Sequence, residues 1–318
     1  MHPVRSMKTS NTDECVFLFP LRRDTDESGT PLAVCLGKFD AMHKGHYALA
    51  ERAAKLGYPV MLSFSGMAET LGWEERLPIT ATWDRERVLG LWAKEIGGED
   101  ASPLRQHTVP FKEVRELSPE AFVEMLAGMG VNAVVTGENY RFGYKAAGDV
   151  EALKSFGAAN GMQVDVVDLV PADRPSAMGL GDQVSSTRVR RALTDGNINE
   201  VNSMLGREHR LIFNMTGERM ANALKAALAS DVDAINISLE AAENQPPSDG
   251  QYSARVLVDP SPNQSSENVK TVTVTVSYGR LSIDRYEVPD IVFARERLAV
   301  DFCERVSARY ANNVSGRW

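Results

Sequence analysis

Residues 37–46, with the sequence GKFDAMHKGH, constrain the fold of this chain more than any other stretch. They follow the apolar run 32–36, which predicts a buried strand of a parallel sheet. They precede residues 47–54, which have helical periodicity. In α/β proteins, ligands bind where parallel strands end and the chain turns towards a helix. The segment therefore predicts an α/β domain with a binding site at this junction.

The residue types at this junction suit a phosphate group. A helix N-terminus presents unpaired N–H groups and a partial positive charge to an anion. Gly37 and Gly45 allow the backbone to come close to a bulky ligand. His43 and His46 can donate hydrogen bonds to phosphate oxygens that gain charge as a bond breaks. The alternative is a pair of histidines on a solvated turn, and the buried strand that precedes them disfavours it.

Short apolar runs alternate with helix-like stretches as far as residue 206. The strand candidates are residues 32–36, 59–64, 107–111, 133–136 and 164–170, and the helix candidates are residues 46–55, 83–95, 119–129, 149–160, 186–194 and 198–205. Because strands that alternate with helices form βαβ units, this pattern predicts a Rossmann-like parallel sheet.

The pattern changes after residue 207. Residues 252–258, 271–277 and 281–286 are strand-like, and residues 220–229 and 290–310 have helical spacing. We therefore predict a small β-rich second domain with a C-terminal helix. The predicted organisation is an N-terminal extension over 1–30, a first domain over 31–207 and a second domain over 208–318.

The amino-acid composition argues against several classes of protein and binding site. The net charge of −8 argues against an extended nucleic-acid surface. Three widely spaced cysteines argue for a reducing compartment and against a disulfide framework or a structural zinc site. No apolar run is long enough for a transmembrane helix, so we expect no membrane association. Residues 1–30 mix acidic with basic residues, whereas organelle transit peptides are poor in acids.

The motif G-x-F-D-x-x-H-x-G-H resembles the signature of the nucleotidylyltransferase superfamily, and its F-D form resembles the prokaryotic-type FAD synthetases. Three more segments resemble motifs of that family in the family's order: TGENYRFGY at 136–144, VSSTRVR at 184–190 and LGR at 205–207. The resemblance covers about residues 31–210. It implies the parallel-sheet adenylyltransferase fold for the first domain.

The second domain resembles the riboflavin kinase barrel of the bacterial FAD synthetases in one strand only, within residues 246–256. The kinase requires a P-T-A-N sequence for ATP and metal, and this chain contains none. Residues 212–230, where that sequence should fall, look helical. The domain is therefore interpreted as a degenerate kinase, and the chain resembles the plastid FAD synthetases of plants and algae, which keep only the adenylyltransferase.

The resemblance implies a reaction of FMN with ATP that gives FAD and pyrophosphate, with Mg²⁺ accompanying ATP and no protein nucleophile. It implies ATP contacts from Gly37, Lys38, Phe39, Asp40, His43, Gly45, His46, Ser185, Ser186, Thr187 and Arg190, with catalytic roles for His43, His46 and Arg190. It implies FMN contacts from Phe64, Asn139, Tyr140, Arg141 and Phe142. No residue is assigned as a metal ligand.

Several of these residues have ordinary structural alternatives. Ser185–Thr187 could simply cap a helix, although a second phosphate clamp favours the functional interpretation. Asn139 could be a polar turn residue rather than a hydrogen-bond partner of the flavin edge. Phe64 fits the core nearly as well as a flavin pocket. Asp40 fits the placement of magnesium and the capping of its loop about equally.

Two other functions are compatible with a nucleotidylyltransferase-like sequence. One is a sister nucleotidylyltransferase acting on pantetheine phosphate, nicotinamide mononucleotide or a cytidylyl substrate, against which the GENYRFG segment argues. The other is a non-catalytic nucleotide-binding protein, against which the intact motifs argue. The expected partners are ATP, FMN and flavoproteins that receive FAD. The resemblance implies a location in the plastid stroma, with the cytoplasm as the alternative.

Overall fold

A computed structural model describes residues 29–98, 104–173, 181–217, 233–288 and 294–306. The predicted helix at 220–229 and nearly all of the predicted N-terminal extension lie outside these ranges. The described residues form two compact units. The first contains the described residues up to Phe39, with Gly45–Arg76 and Leu89–Val170; the second contains Asp40–Lys44, Leu77–Val88 and the described residues from Pro171 onward. The predicted boundary at residues 207–208 separates an adenylyltransferase domain from a kinase-like domain. It divides the chain by function rather than by compactness, so it stays a prediction.

The first unit is built on a parallel sheet. Its strands are β1 (Leu32–Leu36), β2 (Tyr58–Ser65), β3 (Arg105–Pro110), β4 (Ala133–Gly137) and β5 (Gln163–Val167), in the spatial order β3-β2-β1-β4-β5. Every residue of β1 is buried, which explains its uninterrupted apolar sequence. Because the strand order reverses between β1 and β4, the loops after these two strands begin at the topological switch point.

The helices follow the strands as the alternation predicts. They are α1 (Lys44–Ala54), α2 (Met67–Leu71), α3 (Arg85–Gly97), α4 (Phe111–Val114), α5 (Pro119–Gly128), α6 (Val150–Ala159), α7 (Ser186–Thr194) and α8 (Ile198–Leu205). Phe122 and Leu126 of α5 and Leu153 of α6 pack with Val34 and Val134 in the core of the first unit. The sequence does not predict α2 and α4, because helices of four or five residues are too short to show a periodicity.

The second unit contains an antiparallel sheet. Its strands are β6 (His209–Asn214), β7 (Ala234–Ser238), β8 (Gly250–Val258), β9 (Thr271–Ser277), β10 (Arg280–Asp284) and β11 (Arg297–Arg305), in the order β6-β11-β8-β9-β10-β7. The alternating sequence TVTVTVS of β9 buries every second side chain, as its period of two predicts. A parallel sheet followed by a β-rich region confirms the predicted fold class.

Two predicted helical stretches are wrong where the structure describes them. Residues 297–305, inside the predicted helix 290–310, form β11, and residues 212–214 belong to β6 rather than to a helix over 212–230. β11 lies between β6 and β8 and buries five successive residues, Leu298–Phe302. A strand buried on both faces shows no alternation, so its sequence cannot be distinguished from a helical segment by period. The remainder of both predicted helices lies largely outside the described residues.

Within the described ranges, no helix combines the length and the apolar character needed to cross a membrane.

Candidate active site

The first unit holds both ends of the 37–46 motif, and Phe39 organises them. Phe39 is fully buried and adopts a left-handed backbone conformation, with φ 49°. Its ring contacts the His46 ring edge-on, with centroids 5.0 Å apart. A Cβ atom on Gly37 would lie 2.8 Å from the Phe39 ring, which explains the glycine there. The buried phenyl ring therefore orients the His46 imidazole, while Lys38 is exposed and Gly45 lies in the first turn of α1.

The middle of the motif, residues 40–44, belongs to the second unit and is held through its carbonyl oxygens. The Arg207 guanidinium donates to Met42 O at 2.6 Å and to Ala41 O at 3.1 Å. The Thr80 hydroxyl donates to Ala41 O at 2.8 Å, and the Thr80 N–H donates to Asp40 O at 3.1 Å. The loop before α1 is therefore fixed by side chains that lie far from it in the sequence. Arg207 is the arginine of the LGR segment, whose role the sequence did not indicate.

His43 is buried in this loop. Burial, and next the positive charge of Arg207, lower the pKa of His43 to about 4, against the opposing effects of a backbone hydrogen bond and the Asp40 carboxylate. The imidazole is therefore neutral at neutral pH. A neutral imidazole donates one hydrogen bond and accepts one.

The SSTRVR segment begins α7 in the second unit. Ser185 is the N-cap, and its hydroxyl accepts a hydrogen bond from the Arg188 N–H at 3.2 Å. Ser186 and Thr187 form the first turn, where backbone N–H groups have no partner within the helix. Arg188 is buried and bonded to Glu200 at 2.9 Å, so its role is structural. Ser185 therefore caps α7, which is the structural alternative to the phosphate contact that the resemblance implies for this residue.

Arg190 lies one turn into α7 and is held by three acceptors of the second unit. Its Nη2 donates to Asp40 Oδ2 at 2.7 Å. Its Nη1 donates to Leu77 O at 2.9 Å and to Gln245 Oε1 at 2.6 Å. The structure therefore brings together two predicted site residues, Asp40 and Arg190, that come from separate motifs. No sequence motif points to Gln245, because this residue lies in a polar linker.

The flavin-side motif forms a tight turn after β4 in the first unit. Phe142 and Gly148 exchange two backbone hydrogen bonds, of 3.1 and 2.9 Å, across this turn. The Arg141 guanidinium donates to Ala146 O at 2.9 Å, so this side chain closes its own turn. Asn139 is exposed at the start of the turn.

Aromatic rings join the other predicted flavin residues. Tyr140 stacks on Phe142 with centroids 6.1 Å apart and an interplanar angle of 11°. Phe142 contacts Phe122 at 5.4 Å, and Phe122 contacts Phe64 at 6.2 Å. Phe64, Tyr140 and Phe142 therefore belong to one aromatic cluster, in which Phe64 packs against the core and keeps partial exposure. Burial raises the pKa of the Tyr140 hydroxyl, so it stays protonated.

Known proteins match this chain over much of its length. A sequence profile described as FAD synthetase matches residues 25–188. "FAD synthetase 2, chloroplastic" of Arabidopsis thaliana is 39% identical over 272 residues, which are 80% of this chain and 67% of that relative. "Bifunctional riboflavin kinase/FMN adenylyltransferase" of Pseudomonas fluorescens is 29% identical over 204 residues, which are 61% of each chain. The chain thus spans 61–67% of the length of these curated relatives.

Solved structures include proteins of similar fold. One of them is described as a macrolide-efflux protein from Streptococcus pneumoniae, and it matches with a TM-score of 0.65 and 22% identity over 87% of this chain and 94% of its own. At that identity the likeness supports the fold alone. The profile match covers more than half of the chain and includes the motif after β1 and the start of α7. It confirms the predicted family and the predicted enzyme class, FMN adenylyltransferase. The chain belongs to the FAD synthetase family.

Proposed function

We propose that this chain joins FMN to the adenylyl group of ATP through two sets of residues, one for the ATP phosphates and one for the flavin. The phosphate set consists of residues from the motif after β1 and from the start of α7: Gly37, Lys38, Phe39, Asp40, His43, Gly45, His46, Ser185, Ser186, Thr187 and Arg190. The flavin set is Phe64, Asn139, Tyr140, Arg141 and Phe142. The main support for the proposal is the ion pair between Asp40 and Arg190. This pair brings together one charged residue from each of the two phosphate motifs.

In the proposed reaction, an oxygen of the FMN phosphate attacks the α-phosphorus of ATP, and the bond from that phosphorus to the bridging oxygen of pyrophosphate breaks. The protein needs no nucleophile for this step, so its contribution is positioning and neutralisation of charge. His46 donates a hydrogen bond to the phosphate oxygens, where negative charge increases as the leaving group departs. Arg190 supplies a permanent positive charge, and the first turn of α7 supplies backbone N–H groups.

The neutral state of His43 has a consequence for ATP binding. An anionic phosphate near the ring favours the protonated imidazole, so we expect ATP to raise the pKa of His43 from its value of about 4. Until protonation occurs, the ring contributes one hydrogen bond rather than a charge. Of the two histidines, we therefore assign the larger transition-state role to His46.

Magnesium is proposed to enter with ATP, where it neutralises phosphate charge. Mg²⁺ usually binds through one or two carboxylates together with substrate phosphates. Asp40 is the carboxylate of the phosphate set, and one of its oxygens accepts from Arg190 at 2.7 Å. In the described part of the chain, no three or more His, Cys, Asp or Glu side chains are grouped as metal ligands. This arrangement fits an ion held mainly by the phosphates of ATP.

The flavin set supplies a ring-packing surface and polar contacts at its edge. Tyr140, which is half-buried and stacks on the buried Phe142 ring, provides an apolar face for the isoalloxazine ring, and Phe142 supports it from the core. Asn139, exposed at the end of β4, can reach a polar edge of that ring. The β4 loop lies at the switch point of the parallel sheet, where such ligands bind.

A fluorescence assay tests the proposed reaction. Purified protein mixed with FMN, ATP and Mg²⁺ should lower the flavin fluorescence, because FAD is quenched relative to FMN. Pantetheine phosphate and nicotinamide mononucleotide serve as competing substrates, with pyrophosphate release as the common signal. Faster pyrophosphate release with either of these than with FMN would contradict the proposal.

We further propose that the chain does not phosphorylate riboflavin. The support is the absence of P-T-A-N from the whole sequence. Riboflavin and ATP incubated with the protein should give no FMN on chromatography, whereas a bacterial bifunctional relative should give FMN under the same conditions. Formation of FMN at a rate comparable to that of the bifunctional enzyme would refute this proposal.

The proposed location is the plastid stroma, and the proposed recipients of the product are flavoproteins. The support is the Arabidopsis relative, which is described as chloroplastic. Fractionation of the cells that make this protein, with an antibody raised against it, should place it with stromal markers. Recovery with cytoplasmic markers alone would favour the alternative location.

A further inference from the structure

Gln245 holds Arg190 at two points. Its Oε1 accepts a hydrogen bond from Arg190 Nη1 at 2.6 Å, and its Nε2 donates to the Arg190 carbonyl oxygen at 3.3 Å. The carboxamide therefore bridges the guanidinium and the main chain of the same residue. An arginine side chain has several rotatable bonds, so such a bridge restricts its orientation. Gln245 lies between β7 and β8, in the β-rich part of the chain.

The main chain of Gln245 is itself fixed within the second unit. Its N–H donates to Pro78 O at 2.8 Å, and its carbonyl oxygen lies 2.9 Å from Nε2 of His209. Because a carbonyl oxygen only accepts, Nε2 of His209 carries the proton. His209 is buried at the start of β6. The glutamine is therefore anchored to the antiparallel sheet and to the segment 77–88.

The preceding residue, Asn244, strengthens this anchor. Its side chain is completely buried and satisfies three main-chain groups. Oδ1 accepts from the Ile212 N–H at 2.9 Å, and Nδ2 donates to Ile79 O and Arg210 O, each at 2.9 Å. A buried amide with all of these partners is costly to displace. Gln245 thus has a rigid base from which to orient Arg190.

The hydrogen bonds of Arg190 leave donors for a ligand. Three of its five N–H donors are used by Leu77 O, Gln245 Oε1 and Asp40 Oδ2 among the described residues. The other two, on Nε and Nη2, meet no acceptor within the part of the chain that the structure describes, and we infer that they face a phosphate. Because the three acceptors fix the plane of the guanidinium, they also fix the direction of these two donors.

We propose that Gln245 is a positioning residue for adenylyl transfer, and that the β-rich region serves the reaction by orienting Arg190. This inference rests on the proposed role of Arg190 at the ATP phosphates. It gives the degenerate kinase region a function that does not need kinase chemistry. Gln245 does not touch the reacting atoms in this scheme, and its effect passes through Arg190.

The test replaces the amide by a group of the same length. Gln245→Met should lower kcat/KM for ATP by about tenfold or more, because a hydrogen bond to a charged group is lost. The KM for FMN should stay within about twofold of wild type. Gln251→Met, on the exposed side of β8, is the matched control and should leave kinetics unchanged.

A double-mutant cycle with Arg190→Ala shows whether Gln245 acts through Arg190 or independently of it. If Gln245 acts through Arg190, Gln245→Met should change kcat/KM for ATP by less than about twofold in the Arg190→Ala background. A tenfold loss that persists there, or an equal loss for ATP and FMN, would overturn the inference. If Arg190→Ala alone leaves ATP kinetics intact, the proposed role of Arg190 fails. If Arg190→Ala is impaired while Gln245→Met is not, only the role of Gln245 fails.

Thermal melting accompanies each variant. Should Gln245→Met unfold, Gln245→Ser gives the second test, since serine cannot span the distance to the guanidinium but keeps a polar group at the site. The same selective loss for ATP is expected from it. Full activity in a folded Gln245→Ser protein would also overturn the inference.

Discussion

The Arg190 guanidinium lies 2.7 Å from the Asp40 carboxylate, although 150 positions separate the two residues in the sequence. Only 23% of the Arg190 side chain and 12% of the Asp40 side chain are exposed, so water screens this pair little. The pair joins α7 to the loop that precedes α1 within the second unit. The charge that is proposed to meet ATP is therefore oriented before ATP binds.

Arg190→Ala should raise the KM for ATP by about tenfold or more and leave the KM for FMN nearly unchanged. The physical reason is the loss of a fixed positive charge and its remaining donors. Steady-state kinetics with each substrate varied in turn measure this difference. The matched control is Arg191→Ala on the same helix, which removes only an exposed pair with Asp195 and should have little effect. Equal losses for both substrates would indicate that α7 had unfolded.

His46→Ala should lower turnover much more than FMN affinity. A donor that acts on charge developing in the transition state contributes on the order of 2.7–4 kcal/mol to the activation free energy. That corresponds to a decrease in kcat of about a hundredfold to a thousandfold. Single-turnover kinetics with saturating ATP and FMN measure the chemical step directly. An unchanged rate would remove His46 from the reaction and leave it as the edge-on partner of Phe39.

Asn139→Ala should weaken FMN binding and spare ATP. Loss of a hydrogen bond to a neutral ring edge is worth about 0.5–1.5 kcal/mol, so the Kd for FMN should rise about threefold to tenfold. Fluorescence titration measures the Kd, and circular dichroism verifies the fold. Because Asn139 is exposed, its replacement should not change the melting temperature. Unchanged FMN affinity in the folded variant would make Asn139 a turn residue only.

Gly148→Ala should destabilise the first unit. A Cβ atom at this position would lie 2.7 Å from the Phe142 ring, which is packed in the core and cannot move freely. Such overpacking costs about 1–3 kcal/mol in the free energy of unfolding. The control is Gly137→Ala, where a Cβ atom would meet no atom within 4 Å. Urea denaturation of both variants tests this prediction, and equal stabilities would contradict it.

His209→Gln should reduce the sensitivity of the protein to acid. Burial lowers the pKa of His209 to about 4 from its ordinary value of 6.5. Between these two pH values the unfolded state binds the proton and the folded state does not, so stability falls as pH falls through this window. Each such histidine contributes about 1.4 kcal/mol per pH unit to the slope.

Glutamine at position 209 can still donate to the Gln245 carbonyl but does not titrate. Urea denaturation at several pH values from 7.5 to 5 should therefore give a flatter slope for His209→Gln than for wild type. His43 has a similarly low pKa and should maintain part of the slope. The same slope in variant and wild type would show that His209 does not govern the acid response.

Elements with local sequence signals could be predicted before the structure was known. The continuous apolar run of β1 and the alternation of β9 predicted their strands, because burial on two faces or one gives these patterns directly. The helical spacing of residues 119–129 predicted α5, which Ser118 caps. The motifs after β1, after β4 and at α7 predicted the family. They did so because phosphate and flavin binding require particular residue types at short spacing.

Contacts between groups that are distant in the sequence became visible in the folded chain. β11 is a strand because it lies between β6 and β8, where long-range pairing overrides its helix-like spacing. Arg207 clamps the loop at Ala41 and Met42, and Gln245 orients Arg190, through contacts across 55 to 166 positions of sequence. No local pattern encodes such contacts, because hydrogen bonds between distant segments form only after the chain has packed those segments together.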